Sequence, residues 1–278
     1  MDVVFCKGGF VALPVVFAAK LLHKKLIVHE SDVHPGLVNR IASRFASAVF
    51  TGFDGVLPHS KTVGQILGDD IASFSEEGSD LEFIGDLPTI QDSPSLRKSP
   101  LPPFIKGGVP TVFIMGGSQG SRTLYETFAT LLETNPLIAS SFHFFISLGK
   151  LNTDLKSRFS QKNVQTFDFL TQREMGEIYA KSDICLARGG TTSLAEQKLF
   201  NIKSIIVPIP WTHDQMDNAK RYVHHYQDIL FDQNSPTFLQ EMEEAFLSLR
   251  SYHKPPLHRD IFTEIQQAKK LIWETILK

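Results

Sequence analysis

Two short segments of this sequence set glycines beside hydroxyl and amide side chains, at points where an apolar run gives way to a helical pattern. The first is Met115-Gly116-Gly117-Ser118-Gln119-Gly120-Ser121; the second is Ala187-Arg188-Gly189-Gly190-Thr191-Thr192-Ser193-Leu194-Ala195-Glu196. Glycine lets a ligand approach the backbone closely, and the first turn of a following helix offers free N–H groups at the positive end of its dipole. Each junction is therefore a place for an anion. In the second, Thr191, Thr192 and Ser193 put hydroxyls where phosphate oxygens need donors. Two such junctions in one α/β unit suit a diphosphate with a base at one end and a sugar at the other, bound at the carboxyl ends of parallel strands.

Plainer readings stand beside these. A glycine turn between strand and helix is often only a tight connection. Ser193 and Glu196 have capping-box spacing, and Thr212-His213-Asp214-Gln215 also reads as an ordinary helix start. A dinucleotide site of the dehydrogenase kind is not indicated, because no Gly-x-Gly-x-x-Gly is followed by an acidic residue about 20 positions on.

The elements that must position these residues alternate between strand and helix, the pattern of a parallel sheet with crossover helices. In the first part the sequence predicts strands at Val3–Cys6, Leu26–His29 and Ala48–Thr51, with helices at Leu13–His23 and Leu37–Ala46. Residues 74–81 are acidic and turn-like. The stretch 89–110 carries five prolines and a Gly-Gly pair, which exclude a buried strand or helix and read as a linker. The second part predicts strands at Thr111–Met115, Phe142–Leu148, Val164–Phe167, Ile184–Ala187 and Ser204–Val207. Helices are predicted at Arg122–Glu133, Arg173–Ser182, Thr192–Phe200 and Gln215–Tyr226, with a last amphipathic one at Ile261–Leu277. The expected division is 1–88, a linker at 89–110, 111–255, and a C-terminal helix at 256–278.

With 278 residues there is room for two domains, and 28 basic against 30 acidic side chains argue against nucleic acid recognition through bulk charge. No apolar run approaches the roughly 18–20 residues of a membrane span. Cys6 and Cys185, the only cysteines, fall in apolar runs and read as buried thiols.

Together the motifs resemble the MurG family. The resemblance rests on Gly-Gly-Ser-Gln-Gly at 116–120, Arg-Gly-Gly-Thr-Thr-Ser-Leu-Ala-Glu at 188–196, and Val-Pro-Ile-Pro at 207–210 with Asp214-Gln215-x-x-Asn218-Ala219 beyond it. In the first part it rests on Gly8-Gly9-Phe10-Val11, His29-Glu30-Ser31-Asp32 and Pro35-Gly36-Leu37-Val38-Asn39-Arg40. The resemblance implies an α/β fold of the GT-B type: two Rossmann-like domains with parallel sheets, the N-terminal one incomplete. It implies an inverting glycosyltransferase that moves N-acetylglucosamine from UDP-GlcNAc to lipid I, giving lipid II for peptidoglycan, and so serves cell wall biogenesis, cell shape and cell division.

By position, Glu196 would accept from the ribose hydroxyls, backbone near Leu170 would read the uracil, and Gln215 would hold sugar hydroxyls. Ser118, Gln119, Thr191, Thr192 and Ser193 would surround the diphosphate, between Ser118–Gly120 on one side and Arg188–Glu196 on the other. Gly8, Gly9, Phe10, His29, Glu30, Asp32 and Asn39 would belong to the acceptor side. No cofactor and no catalytic metal are implied. The implied partners are UDP-GlcNAc, undecaprenyl-linked lipid I and the cytoplasmic membrane surface, with the protein cytoplasmic and peripheral on the inner face of the membrane. Leu13 to Lys25, ending in His23, Lys24 and Lys25, is the candidate membrane patch; a core helix with a basic C-terminus is its plainer reading.

Three departures from the family pattern stand out. Asp214 replaces the usual His or Gln, and Gly85-Asp86-Leu87-Pro88 stands where Gly-Asn-Pro-Val-Arg is usual, without its arginine. The opening Gly-Gly-Thr-Gly-Gly-His loop, which carries the histidine usually proposed as base, is absent. No catalytic base is therefore assigned: His29, His34 and His213 lie nearest the motifs, each also fitting a loop or capping role. The chain reads as a truncated form of a longer gene product, poorly soluble and weakly active by itself, or as a degenerate member relying on a separate polypeptide. Other readings are another GT-B UDP-sugar transferase or epimerase, and a non-catalytic nucleotide-sugar-binding fragment.

Overall fold

The structure is a computed structural model that describes residues 2–71, 108–117, 120–256 and 259–277. The predicted linker up to residue 107, Gly85–Pro88, and Ser118 and Gln119 lie outside the described residues.

The first sheet consists of β1 (Val3–Cys6), β2 (Lys25–Glu30), β3 (Ala48–Thr51) and β4 (Lys61–Thr62), all parallel and in chain order. One face packs Cys6, Leu26, Val28 and Val49 against Val16 of α1 (Leu13–Leu21) and Val38 and Ala42 of α2 (Leu37–Ala42). On the opposite face Ile27 and Phe50 meet Ile272. Successive strand residues point to opposite faces, so this division follows from the period of two.

The second sheet has six parallel strands: β5 (Thr111–Met115), β6 (His143–Ser147), β7 (Val164–Phe167), β8 (Ile184–Ala187), β9 (Lys203–Ile206) and β10 (Ile229–Leu230). Their spatial order is β10-β9-β8-β5-β6-β7. This is the doubly wound order, with the chain reversing direction across the sheet between β5 and β8. Both strands are buried along their whole length, as expected where helices cover both faces. Val112 and Ile114 face a core built on α3 (Arg122–Thr134) and α8 (Phe238–Ser248); Phe113 and Met115 face one containing Ile178 and Tyr179 of α5 (Gln172–Lys181). The remaining helices are α4 (Pro136–Ser141), α6 (Thr191–Leu199), α7 (His213–Tyr226) and α9 (Arg259–Leu277). Helix α9 touches both halves: Ile265 packs on the second domain's core and Ile272 on the first sheet.

The two free thiols are buried, as the sequence predicts. Burial pushes the Cys185 thiol far above its ordinary range.

The C-terminal end of α6 is tied down by charge. Lys198 Nζ donates to the Ile202 carbonyl (2.8 Å) and to Asp228 Oδ1 (2.7 Å), and the same oxygen accepts from Ser204 N at 2.9 Å. Lys198 and Asp228 are almost wholly buried, so α6, β9 and the start of β10 are held by one ion pair. Lys198→Met, which strands the Asp228 carboxylate in the core, is expected to lower the unfolding free energy by about 3–5 kcal/mol, measured by urea denaturation. Lys198→Met with Asp228→Leu is expected to recover part of that loss.

Candidate functional site

Both glycine junctions lie at the carboxyl ends of β5 and β8, side by side at the switch point. At the first, Gly120 has φ of +78°, and a Cβ there would collide with the Leu148 carbonyl and the Asn152 amide. At the second, a Cβ on Gly189 would meet the Gln215 carbonyl oxygen at 2.5 Å. Glycine is required in both places by packing within the protein, against the segment after β6 at the first junction and against the start of α7 at the second.

Helix α6 starts at Thr191 with Gly190 as its N-cap, and no side chain caps it. Ser193 is thus the third helical residue and not the cap, so the capping-box reading of Ser193 and Glu196 fails. Thr191, Thr192 and Ser193 occupy the first turn, where backbone N–H groups have no intrahelical partner. Thr192 is exposed, Ser193 half-buried and Thr191 buried.

One turn on, Glu196 is 8% exposed. Its Oε2 accepts from the Tyr179 hydroxyl at 3.3 Å, which also lies 3.2 Å from Met115 Sδ. The carboxyl therefore stands against the carboxyl end of β5. Burial raises its pKa to about 7, only partly opposed by the tyrosine hydrogen bond. Leu170 packs beside the same core, half-buried.

In the sequence Arg188 opens the segment expected to border the donor. The structure places it inside the protein, 7% exposed. Its guanidinium donates to the carbonyls of Val207 (2.9 Å) and Pro208 (3.3 Å), to Gln233 Oε1 (2.7 Å) and to the Ser121 hydroxyl. It joins the second junction to the first and both to the end of β9. Its role here is to set their spacing. Gln215 Oε1 accepts from Gly189 N and Ile209 N, both at 3.1 Å, which among the described residues leaves its amide nitrogen as the end free to meet a ligand.

In the first domain, His29, Glu30 and Asn39 form an internal knot. Glu30 accepts from Asp32 N (2.9 Å), Gly36 N (3.0 Å) and Asn39 Nδ2 (2.8 Å). His29 Nε2 lies 3.0 Å from the Gly64 carbonyl, and Nδ1 3.4 Å from the Ser31 hydroxyl. Burial lowers the His29 pKa to about 4, so at neutral pH it is a neutral imidazole with both nitrogens engaged. All three are buried and shape the loop after β2. Gly8 and Gly9 have φ of +88° and +84°, and they lead into Phe10, which is 88% exposed.

The two domains meet where this loop reaches the start of α6. Asp32 Oδ1 accepts from Asn218 Nδ2 (2.9 Å) and from the Thr191 hydroxyl (3.3 Å). Val33 N donates to Asn218 Oδ1 at 2.9 Å, and His34 Nε2 lies 3.0 Å from Asp217 Oδ2. Sequence reasoning did not place Asn218, Tyr179 or Ser121 in the site. The i, i+3 spacing of Gln215 and Asn218 was a usable signal, since it puts both on one side of α7. Lys7, at the end of β1, feels Asp32 and Glu30 as nearby acids while burial lowers its pKa.

The glycosyltransferase family 28 C-terminal domain matches residues 111–272, and the family 28 N-terminal domain matches residues 1–51. An N-acetylglucosamine transferase of Shouchella clausii, named for UDP-N-acetylglucosamine and N-acetylmuramyl-(pentapeptide) pyrophosphoryl-undecaprenol, is 31% identical over 258 residues, covering 90% of this chain and 67% of the relative. The protein of the same name from Staphylococcus carnosus is 26% identical over 99% of this chain and 72% of its own length. Among solved structures, MurG of Acinetobacter baumannii superposes with a TM-score of 0.66 at 21% identity, covering 96% of this chain and 69% of that one. UDP-GlcNAc 2-epimerase of Neisseria meningitidis, solved with UDP-GlcNAc, gives 0.62 at 15% identity over 99% and 76%. At these identities both structures speak to the fold, which is the two-domain GT-B arrangement.

The Glu196 pKa has a consequence for stability. A carboxyl whose folded pKa lies above its unfolded value binds a proton more tightly in the folded state, so stability falls as pH rises from the ordinary carboxylate range through about 7. Glu196→Gln removes that dependence. At pH 8 the variant is expected to unfold at higher urea than the parent, with the gap closing towards pH 4.5; a gap independent of pH contradicts the assignment.

Proposed function

The chain belongs to glycosyltransferase family 28, and from that membership we propose that it transfers N-acetylglucosamine from UDP-N-acetylglucosamine to an N-acetylmuramyl-(pentapeptide) pyrophosphoryl-undecaprenol acceptor. The observation that carries this reading is the start of α6. It is a helix end with no side-chain cap, three hydroxyls in its first turn, and a buried carboxyl one turn further on. The uncapped N–H groups and the Thr191, Thr192 and Ser193 hydroxyls take the diphosphate, with Gly120 of the first junction on its other side. Glu196 accepts from the ribose hydroxyls, the backbone near Leu170 meets the uracil, and the Gln215 amide meets the sugar. As the glycosidic bond breaks, negative charge grows on the departing diphosphate, and the fixed dipole of α6 stabilises it without rearrangement. Arg188 acts at one remove by keeping α6 in place.

The lipid-linked acceptor belongs to the first domain, on the side of Gly8, Gly9, Phe10 and Asp32. Among the described residues no helix is long and apolar enough to cross a membrane. Instead, Phe10 and Val11 are 88% and 86% exposed, and Phe17, Leu21 and Leu22 are exposed beside them. With Lys20, His23 and Lys24 at the rim, this surface suits peripheral attachment to the inner face of the cytoplasmic membrane. Lys25 takes no part, because its ammonium donates to the Thr275 carbonyl at the end of α9.

Two outcomes are expected. Glu196→Ala should weaken UDP binding in calorimetry by about 1.5–3 kcal/mol. In the parent, affinity should fall as pH drops below about 7, because protonation removes the negative charge that strengthens the acceptor. Equal affinity for parent and variant at pH 8 would reject the ribose role. Separately, Phe10→Ser with Leu21→Ser should reduce co-sedimentation with anionic phospholipid vesicles, and unchanged pelleting would reject the membrane surface.

A further inference from the structure

Among the described residues, the hydrogen bond that joins the first domain to the start of α6 ends on an anion. Asp32 is presented by a loop that Glu30 holds at both ends, through Asp32 N and Gly36 N. Its carboxylate reaches Thr191, the first residue of α6, and Asn218 on α7. Asn218 is 1% exposed, and both ends of its amide are used: the nitrogen donates to Asp32 and the oxygen accepts from Val33 N. One residue on, His34 meets Asp217. Residues 32–34 thus form a clasp between the domains that sets a carboxylate at the positive end of a helix, where negative charge is favoured.

A diphosphate bound at the start of α6 seeks the same hydroxyl and the same dipole. Two anions within hydrogen-bond range of Thr191 repel each other, and the diphosphate brings more charge and more acceptor oxygens. We infer that Asp32 and the donor diphosphate compete for the N-terminus of α6, so that donor binding displaces Asp32 and releases the 32–34 clasp from α7. This rests on the preceding assignment of the diphosphate to α6. Lys7, already close enough to Asp32 to feel its charge, lies on the same domain and offers the displaced carboxylate a partner. The acceptor domain is thereby informed that the donor site is filled, because the group that moves belongs to the acceptor domain.

The test is calorimetric UDP binding to the full chain and to Asp32→Asn, which keeps an acceptor oxygen for Thr191 and Asn218 but removes the charge. The variant is expected to bind UDP about tenfold more tightly at low ionic strength, with the advantage shrinking as salt is raised. In the parent, hydrogen exchange at the Val33 amide is expected to quicken when UDP is added, as its bond to Asn218 is given up. This second measurement needs no variant. Equal or weaker UDP binding by Asp32→Asn, or Val33 exchange that stays constant or slows, overturns the inference. If Glu196→Ala weakens UDP binding while Asp32→Asn leaves it unchanged, the donor assignment stands and the competition alone fails. If neither parent nor variant binds UDP, both fall together.

Discussion

A helix N-terminus can stabilise charge only if it does not move when the charge arrives, and α6 is held at both ends by buried cations. Before its first turn, the Arg188 guanidinium joins Ser121, Val207, Pro208 and Gln233. At its last turn, Lys198 is locked to Asp228 and the Ile202 carbonyl. Burying a cation costs several kcal/mol unless its donors are satisfied, and here protein acceptors largely satisfy them, with Arg188 Nε left without a partner among the described residues. What those acceptors have in common is that they come from different strand ends. The desolvation of two charges is thus offset by bonds that fix β5, β8, β9 and α6 relative to one another, which is the geometry a diphosphate site between two glycine turns requires.

The first domain reaches a similar end with the opposite charge. Glu30 gathers two backbone N–H groups and the Asn39 amide around a buried carboxylate, and the loop it shapes is the one that touches the second domain. His29 sits in the same knot as a neutral imidazole. The bonds of these residues run to the protein, and what they fix is the position of Asp32.

Much of this was legible in the sequence because parallel strands buried on both faces leave a strong apolar signal. The bounds of β3, β5, β7 and β8 are those read from the residues alone. Helix α2 ends at Ala42, earlier than its apolar pattern implies, because residues 43–45 turn to feed β3. The two-residue strands β4 and β10 are too short for any alternation to show. Helix α8 was missed although Phe238, Met242 and Phe246 recur at helical spacing. The burial of Arg188 is not legible for a different reason: its partners Ser121 and Gln233 lie 67 and 45 residues away. Only the fold brings them together.

Glu196 shows how a local reading and a tertiary one are separated. Spacing alone allows Ser193 and Glu196 to close a helix start. That would require the helix to begin after Ser193, whereas it begins at Thr191, after a glycine with no capping side chain. The first-turn N–H groups therefore remain available, and the carboxyl that would have satisfied one of them instead accepts from the Tyr179 hydroxyl. A buried carboxyl with a raised pKa is destabilising at neutral pH and contributes no cap. Retaining it there is consistent with a demand other than stability. Under the proposed donor site, a pair of ribose hydroxyls is the partner that would satisfy it.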